Sequence, residues 1–213
     1  MVIGDSEPGN SVAVMRSRAC EATEMRSPAL ASAVVLLTLA CPATAQTFRA
    51  SAGNLQVETV TSGLSNPWGL AFLPDGRMLV TERPGRLSLL SSNFQKTEVS
   101  GVPKVVASGQ GGLLEVAPHP RFAENGFVYL SYAGGGDGGA STELARGKLV
   151  GNKLEDVQVL FRQTPKSSSR IHFGGRIVFD RAGFLYLTLG ERGQQERAQV
   201  HDNHHGSVIR LND

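Results

Sequence analysis

Short apolar runs separated by turn residues recur along the chain from residue 55 onward. The run LAFLPDGRMLVTERPGRLSLL consists of a strand, a Pro-Asp-Gly turn, a second strand, a Pro-Gly turn and a third strand. We predict an earlier strand around residues 55–60 and a last one at residues 207–211. No helix is predicted in the three-stranded meander, so the pattern indicates an all-β fold.

The same layout occurs three times, after Gly69, Gly112 and Gly175. Each copy has a glycine, an apolar strand, a polar turn and a strand rich in Leu, Val and Tyr. The copies follow at intervals of 43 and 63 residues, and repeats of four short strands at about this spacing are typical of a β-propeller, in which each copy forms one blade. An irregular β-sandwich also has evenly spaced strands, but three matching copies favour the propeller. The chain is long enough for three to four blades.

The second copy contains an Asn125-Gly126 turn and continues beyond a glycine cluster at residues 134–139. We predict that the cluster forms a flexible surface loop, because its glycines have no side chains to order it. Two further strands, at residues 143–149 and 157–161, are predicted to complete this copy through a turn at Gly151-Asn152.

Candidate chemistry lies in the third copy, RIHFGGRIVFDRAGFLYLTLGERGQQ. Strands at residues 176–179 and 184–189, joined by a turn at residues 180–183, predict an antiparallel hairpin. A hairpin brings its ends together, so His172 and Glu191 are expected at the same end of the sheet. A carboxylate that orients an imidazole and stabilises its protonated form is a common way to build a general base.

Less specific interpretations compete with this one. A histidine near a strand start is more often a surface or core residue, and a strand-end glutamate is usually solvated. His201, His204 and His205 also suggest a metal site, but they lack a fourth ligand or a helix that would align them for zinc. We therefore interpret residues 194–205 as a polar loop and assign no metal ligand.

Composition narrows the class of protein. The 213 residues are 40% hydrophobic and 19% charged, with a formal net charge of +2, which is ordinary for a globular protein. Neither nucleic-acid binding nor a disordered tail is indicated. The 25 glycines are concentrated in short clusters, as expected for an all-β protein with many turns.

The N-terminal segment has the pattern of a secretory signal peptide. Met25-Arg26-Ser27 is followed by the apolar run ALASAVVLLTLA and a small-residue site that ends at Ala45. We predict translation from Met25, an upstream extension before it, and a mature domain at residues 46–213 that is periplasmic or secreted. The apolar run is too short to span a bilayer comfortably. Lipidation at Cys41 is the less favoured alternative, because the leucine expected three residues earlier is missing.

Several motifs follow one another in an order known from one family: NPWG with FLPDGRMLVTER, then GQGGLLEVAPHPRF, then HFGGRIVFDRAGFLYLTLGERGQ. In these motifs the chain resembles the soluble, pyrroloquinoline-quinone-dependent glucose/sorbosone dehydrogenases, most closely the aldose sugar dehydrogenase branch. The resemblance covers nearly all of residues 55–212. It implies a six-bladed propeller that is exported and carries the quinone over its central channel.

The resemblance also implies roles for three residues. His172 corresponds to the general base, Glu191 to the carboxylate that holds it, and Gln110 to a glutamine beside quinone and substrate. The implied reaction oxidises the anomeric hydroxyl of an aldose to a lactone, with hydride transfer to pyrroloquinoline quinone. An external electron acceptor would then reoxidise the cofactor.

The chain departs from the family in its length, which is about half of that expected. The calcium ligands and the Arg/Lys residues that hold the quinone carboxylates come from later blades in the family, so none is assigned in this chain. An open ring would leave strand edges unpaired, and we expect it to associate edge to edge. The alternative function is a truncated, non-catalytic β-propeller that only binds a partner.

The first prediction concerns export. The small-residue site after the apolar run predicts cleavage between Ala45 and Gln46. N-terminal sequencing of the exported protein is expected to start at Gln46 or at a blocked derivative of it. A mature chain that begins at Met1 would contradict both the signal peptide and the proposed start at Met25.

Overall fold

The computed structural model describes residues 10–16, 46–51 and 53–212. The chain forms two compact units, residues 1–63 and 64–213. In the first unit, three strands pair in the order β1-β3-β2. Their bounds are β1 Asn10–Arg16, β2 Gln46–Ala50 and β3 Gly53–Leu64. The last of these is twice as long as the strand predicted at residues 55–60. The proposed signal peptide lies outside the described residues, and the boundary at residue 45 stays a prediction.

The second unit consists of three antiparallel sheets that follow one another along the chain. The first sheet contains β4 Pro67–Phe72, β5 Met78–Glu82, β6 Arg86–Leu90 and β7 Lys96–Val99. The second contains β8 Leu113–Pro118, β9 Phe127–Gly136, β10 Gly139–Val150 and β11 Lys153–Arg162. The third contains β12 Gly174–Phe179, β13 Leu185–Leu189 and β14 Val208–Leu211. The all-β prediction is confirmed, and consecutive sheets pack through their first strands, β4, β8 and β12.

A hydroxyl group links the first sheet to the second. The pairing of β4 with β5 is irregular between Pro67 and Leu70, which frees the Gly69 N–H from the strand ladder. The Thr81 hydroxyl accepts a hydrogen bond from this N–H at 2.7 Å and donates one to the Leu114 carbonyl of the second sheet at 2.5 Å. One buried side chain thus satisfies two backbone groups of different sheets.

The second sheet is linked to the third in the same way. The Ser131 hydroxyl accepts from the Glu115 N–H at 3.0 Å and donates to the Gly175 carbonyl at 2.6 Å. In the third sheet, the Thr188 hydroxyl accepts from the Arg176 N–H at 3.0 Å. The irregular pairing between first and second strands also recurs in both sheets.

These contacts correct the alignment of the three copies. The equivalent positions are Gly69, Glu115 and Arg176, whereas the repeated sequence pattern places Gly69, Gly112 and Gly175 at the start of the copies. Gly112 has a different structural reason to be glycine. A Cβ atom there would overlap the carbonyl oxygen of Arg83, and its φ is +151°. The glycines that begin the copies therefore do not mark one common position.

Apolar side chains fill the space between neighbouring sheets. The strands of the first and second sheets contribute the larger cluster, which includes Leu79, Leu87, Leu113 and Leu130. A second cluster joins the second sheet to the third. In β13 the buried positions alternate along the strand, so one face packs against the second sheet. The sheets are thereby held face to face by burial of apolar surface.

The glycine cluster at residues 134–139 is not the flexible loop that the sequence predicts. Gly136 ends β9, Gly139 begins β10, and only two residues turn between them. A Cβ atom at Gly134 would overlap the Glu143 carboxylate, and one at Gly136 would lie 2.8 Å from the Lys166 Cε atom. Lys166 and Glu143 pair across these glycines at 2.6 Å. The missing side chains therefore make room for a packed ion pair.

Helical structure is minor in the described part of the chain. The helix α1, Phe122–Asn125, ends within the predicted Asn125-Gly126 turn, where Gly126 has a φ of +68°. A 3₁₀ helix at Gln195–Gln199 lies within the segment interpreted as a polar loop. Within the described ranges, no helix is both long and apolar enough to cross a membrane.

The second prediction tests the hydroxyl bridge. Replacing Thr81 with valine keeps the shape but leaves the Gly69 N–H and the Leu114 carbonyl without this partner. We expect the free energy of unfolding, measured in urea, to fall by about 1–3 kcal/mol. Thr97→Val, at an exposed position of β7, is the matched control and should change little. Equal effects of both substitutions would contradict a role for the bridge.

Candidate active site

The β12–β13 hairpin brings His172 and Glu191 together, as the sequence predicts. His172 lies just before β12 and Glu191 just after β13. The imidazole Nδ1 atom contacts the Glu191 Oε1 atom directly. The side chain of His172 is 48% exposed and that of Glu191 is 22% exposed. The pair is therefore accessible from solvent through the histidine ring.

The partners of Glu191 fix the chemistry of the ring. The hydrogen bond from His172 holds the pKa of the Glu191 carboxyl below its usual value, and the Gly193 N–H, 3.1 Å from Oε1, adds to this effect. Because an ionised carboxylate only accepts hydrogen bonds, the His172 Nδ1 atom carries the proton. The Nε2 atom has no partner among the described residues and is free to accept a proton.

Gln110 fixes the backbone of the histidine. Its side-chain Oε1 atom accepts a hydrogen bond from the His172 backbone N–H at 2.7 Å. The backbone N–H of Gln110 donates to the Arg170 carbonyl at 2.8 Å. His172 has a φ of +54°, which is uncommon for a residue with a side chain. The amide of Gln110 thus supports a strained backbone at the candidate base, so all three predicted site residues come together.

Glycines allow neighbouring backbones to approach the His172 segment closely. A Cβ atom at Gly190 would overlap the His172 carbonyl oxygen. On the other side, a Cβ atom at Gly109 would lie 2.6 Å from the Arg170 Cβ atom, and one at Gly111 would lie 2.6 Å from the Phe173 ring. The segment is therefore enclosed between two glycine-containing stretches of chain.

Two polar side chains of the second sheet region, which sequence reasoning did not single out, fix the same backbone. The Thr142 hydroxyl donates to the Phe173 carbonyl at 2.5 Å, and the Gln163 side-chain amide donates to the Gly190 carbonyl at 2.9 Å. Gln163 also accepts from the Thr142 N–H at 3.1 Å, and both residues are fully buried. Their sequence neighbourhood contains no motif that would reveal this role.

A buried polar cluster lies behind the pair. Arg192 follows Glu191 directly and is 1% exposed, and burial lowers its pKa to about 10. His205 is also fully buried, and burial lowers its pKa. Neither ring nitrogen of His205 has a hydrogen-bond partner within the described chain, nor does the Oε1 atom of Gln194. The sequence analysis did not single out Arg192, although it lies directly beside the candidate residue Glu191 in the sequence.

The histidines considered for zinc have separate environments. The Nδ1 atom of His204 accepts a hydrogen bond from the Thr164 N–H at 3.1 Å, whereas His205 is buried and His201 is exposed. Across residues 46–51 and 53–212, no three His, Cys, Asp or Glu side chains are grouped closely enough to hold a metal ion.

Several known proteins are similar to this chain in sequence and in fold. The chain is 43% identical over 169 residues to the aldose sugar dehydrogenase YliI of Escherichia coli, covering 77% of this chain and 46% of that protein. A crystal structure of a glucose dehydrogenase has a TM-score of 0.70 and 47% identity, covering 72% of this chain and 46% of that one. The PQQ-bound aldose sugar dehydrogenase of Streptomyces coelicolor has a TM-score of 0.64 and 32% identity, covering 80% and 49%.

The fold is therefore that of the sugar dehydrogenases, and the predicted β-propeller class agrees with these neighbours. The profile of the family described as Glucose / Sorbosone dehydrogenase matches residues 64–213, so the chain belongs to this family. The chain spans about half the length of the curated relatives that it matches. The number of blades stays a prediction.

The third prediction follows from the lowered pKa of Glu191. The stabilisation from its pair with His172 is fully present above the usual carboxyl pKa of 4.5 and is lost as pH falls through the lower folded value. Glu191→Gln should therefore reduce the free energy of unfolding most at pH values above 4.5, and the difference from the unmodified protein should shrink in acid. Glu58→Gln, at an exposed position of β3, is the control. A difference that does not depend on pH would contradict this assignment.

Proposed function

We propose that this protein is a quinoprotein oxidoreductase that oxidises the anomeric hydroxyl of an aldose sugar to a lactone, with pyrroloquinoline quinone as the hydride acceptor. The observation that carries the proposal is the His172 imidazole, whose Nδ1 is held by Glu191 while Nε2 stays free. Family membership and the PQQ-bound relative support the cofactor and the substrate class.

The described residues suit a polyanionic quinone in part. The side-chain Nε2 atom of Gln110 has no partner in the described chain and is exposed, so it can donate to a carbonyl or carboxylate oxygen. Two arginines flank Gln110. Arg83 donates to the Gly109 carbonyl at 2.8 Å, and the Arg170 backbone accepts from Gln110. Gln110 would donate through its side-chain amide to an oxygen of the cofactor, and no arginine is assigned to the quinone carboxylates.

His172 acts as the general base in this proposal. Its Nε2 atom removes the proton of the anomeric hydroxyl, and the C–H bond at the same carbon releases hydride as the carbonyl of the lactone forms. The quinone, when bound, supplies the acceptor for that hydride. The Glu191 carboxylate stabilises the imidazolium that results, and it keeps the ring in the orientation that points Nε2 outward. Proton and hydride together account for both electrons and both hydrogens lost by the sugar.

Turnover requires that the reduced cofactor pass its electrons on. We propose an external electron acceptor and a periplasmic or secreted location, because the N-terminal segment has the pattern of a signal peptide. The family also leads us to expect calcium, for which no ligand is assigned in this chain. A non-catalytic binding propeller is the less favoured function, because a scaffold has no need for an oriented imidazole with a free nitrogen.

The fourth prediction tests the base. In the PQQ-loaded protein, His172→Ala should lower the rate of dye reduction by an aldose about 10²- to 10⁴-fold, while binding of the quinone changes little. Glu191→Gln should cause a smaller loss, because the imidazole keeps its place without the charge that favours its protonated form. Gln110→Ala should act mainly on KM and on cofactor affinity.

His201→Ala provides the control for this series, since His201 is an exposed histidine outside the site. Its rate should match that of the unmodified protein. Near-normal turnover of His172→Ala would remove His172 from the mechanism.

A further inference from the structure

Arg192 contacts the chain on both sides of His172. Its Nη2 atom donates a hydrogen bond to the Ser169 carbonyl, three residues before the histidine. Its guanidinium carbon lies 3.3 Å from the ring centroid of Phe173, the residue after the histidine. Its own backbone continues directly from Glu191. One residue therefore connects the two halves of the pair, which the sequence separates by a whole hairpin.

The backbone of Arg192 is constrained as well as its side chain. Its φ is +63°, so both Arg192 and His172 adopt the left-handed conformation that side chains disfavour. Strained residues of this kind persist where surrounding contacts determine them and are concentrated at functional sites. At this site the strained residues are His172, the candidate base, and Arg192, which packs against the chain on both sides of His172.

Burial of Arg192 is unfavourable for the fold by itself. Among the described residues its side chain is the largest that is fully buried, and its Nε and Nη1 atoms have no hydrogen-bond partner there. Burial also disfavours its charged form, which is seen in the lowered pKa of about 10. A buried arginine with unused donors is weak support for stability, and an apolar side chain would fill the same space at lower cost. A role in holding the site accounts for its presence.

We propose that Arg192 is a positioning residue, which keeps the His172 ring oriented with its Nδ1 atom toward the Glu191 carboxylate. It acts through the planar guanidinium, which stacks on Phe173 and donates to Ser169 at the same time. A lysine carries the same charge, but it lacks the planar group that stacks on an aromatic ring and the several N–H donors of the guanidinium. This inference rests on the proposed function only where it concerns catalysis. The effect of Arg192 on the His172 ring is independent of cofactor and sugar.

The test is nitrogen-15 NMR of the histidine rings in the cofactor-free protein, with His172→Gln used for assignment. The unmodified protein should show His172 with its proton on Nδ1. Arg192→Lys should give a mixture with the Nε2–H form, as should Glu191→Gln, which replaces the accepting carboxylate with an amide that can also donate a hydrogen bond to Nδ1. Arg210→Lys is the matched control, because Arg210 stacks on Phe184 at 4.6 Å in the same sheet but away from the pair.

Phe173→Leu provides a second variant should Arg192→Lys fail to fold. It removes the ring under the guanidinium while keeping an apolar side chain, and it should also produce the mixture. In the PQQ-loaded protein, we expect either variant to lower kcat on the order of tenfold to a hundredfold with little change in KM, as for a misplaced catalytic group. A purely structural role would change stability while leaving the His172 proton on Nδ1.

Two outcomes separate this inference from the proposed function. A His172 ring that keeps its Nδ1 proton in folded Arg192→Lys, or in Phe173→Leu, would overturn the positioning role even if the enzyme oxidises sugars. A ring that becomes mixed in these variants, in a protein without dehydrogenase activity, would support the positioning role and leave the proposed function refuted.

Discussion

The hydroxyl groups of Thr81 and Ser131 set the relation between successive sheets, and the site depends on that relation. Each hydroxyl accepts from an N–H that the irregular first strand of its own sheet leaves unpaired, and donates to a carbonyl of the next sheet. A small shift between sheets would leave buried backbone groups without partners, which is costly. The first strands are thus fixed relative to one another, and with them the segments before β8 and β12 that carry Gln110 and His172.

At the candidate site, the main chain around His172 is held more tightly than the imidazole side chain. Gln110, Thr142 and Gln163 all bond to backbone atoms around His172, while the imidazole is about half exposed. This division suits a general base, because the ring must be oriented and yet remain open to a substrate. The carboxylate of Glu191 is the one described side chain that restrains the ring directly.

The pair of His172 and Glu191 was predictable from sequence, because hairpin geometry alone brings the ends of two strands together. The contact of Gln110 with His172 was not, since 62 residues separate them and only the resemblance to a family associated them. The cluster at residues 134–139 was misinterpreted because local composition does not show that Lys166 packs above it. Arg192 was overlooked because most arginines lie at the surface, and sequence does not reveal burial.

Gly190 shows what kind of change such a site can tolerate. The His172 carbonyl oxygen occupies the place where the Cβ atom of a residue at position 190 would lie, so even the smallest substitution, Gly190→Ala, is too large. Exposed positions of the same hairpin, such as Val178, have no comparable restriction. During evolutionary divergence, exposed positions of the hairpin are therefore free to vary, whereas a single added methyl group at Gly190 would displace the backbone that carries the His172 imidazole.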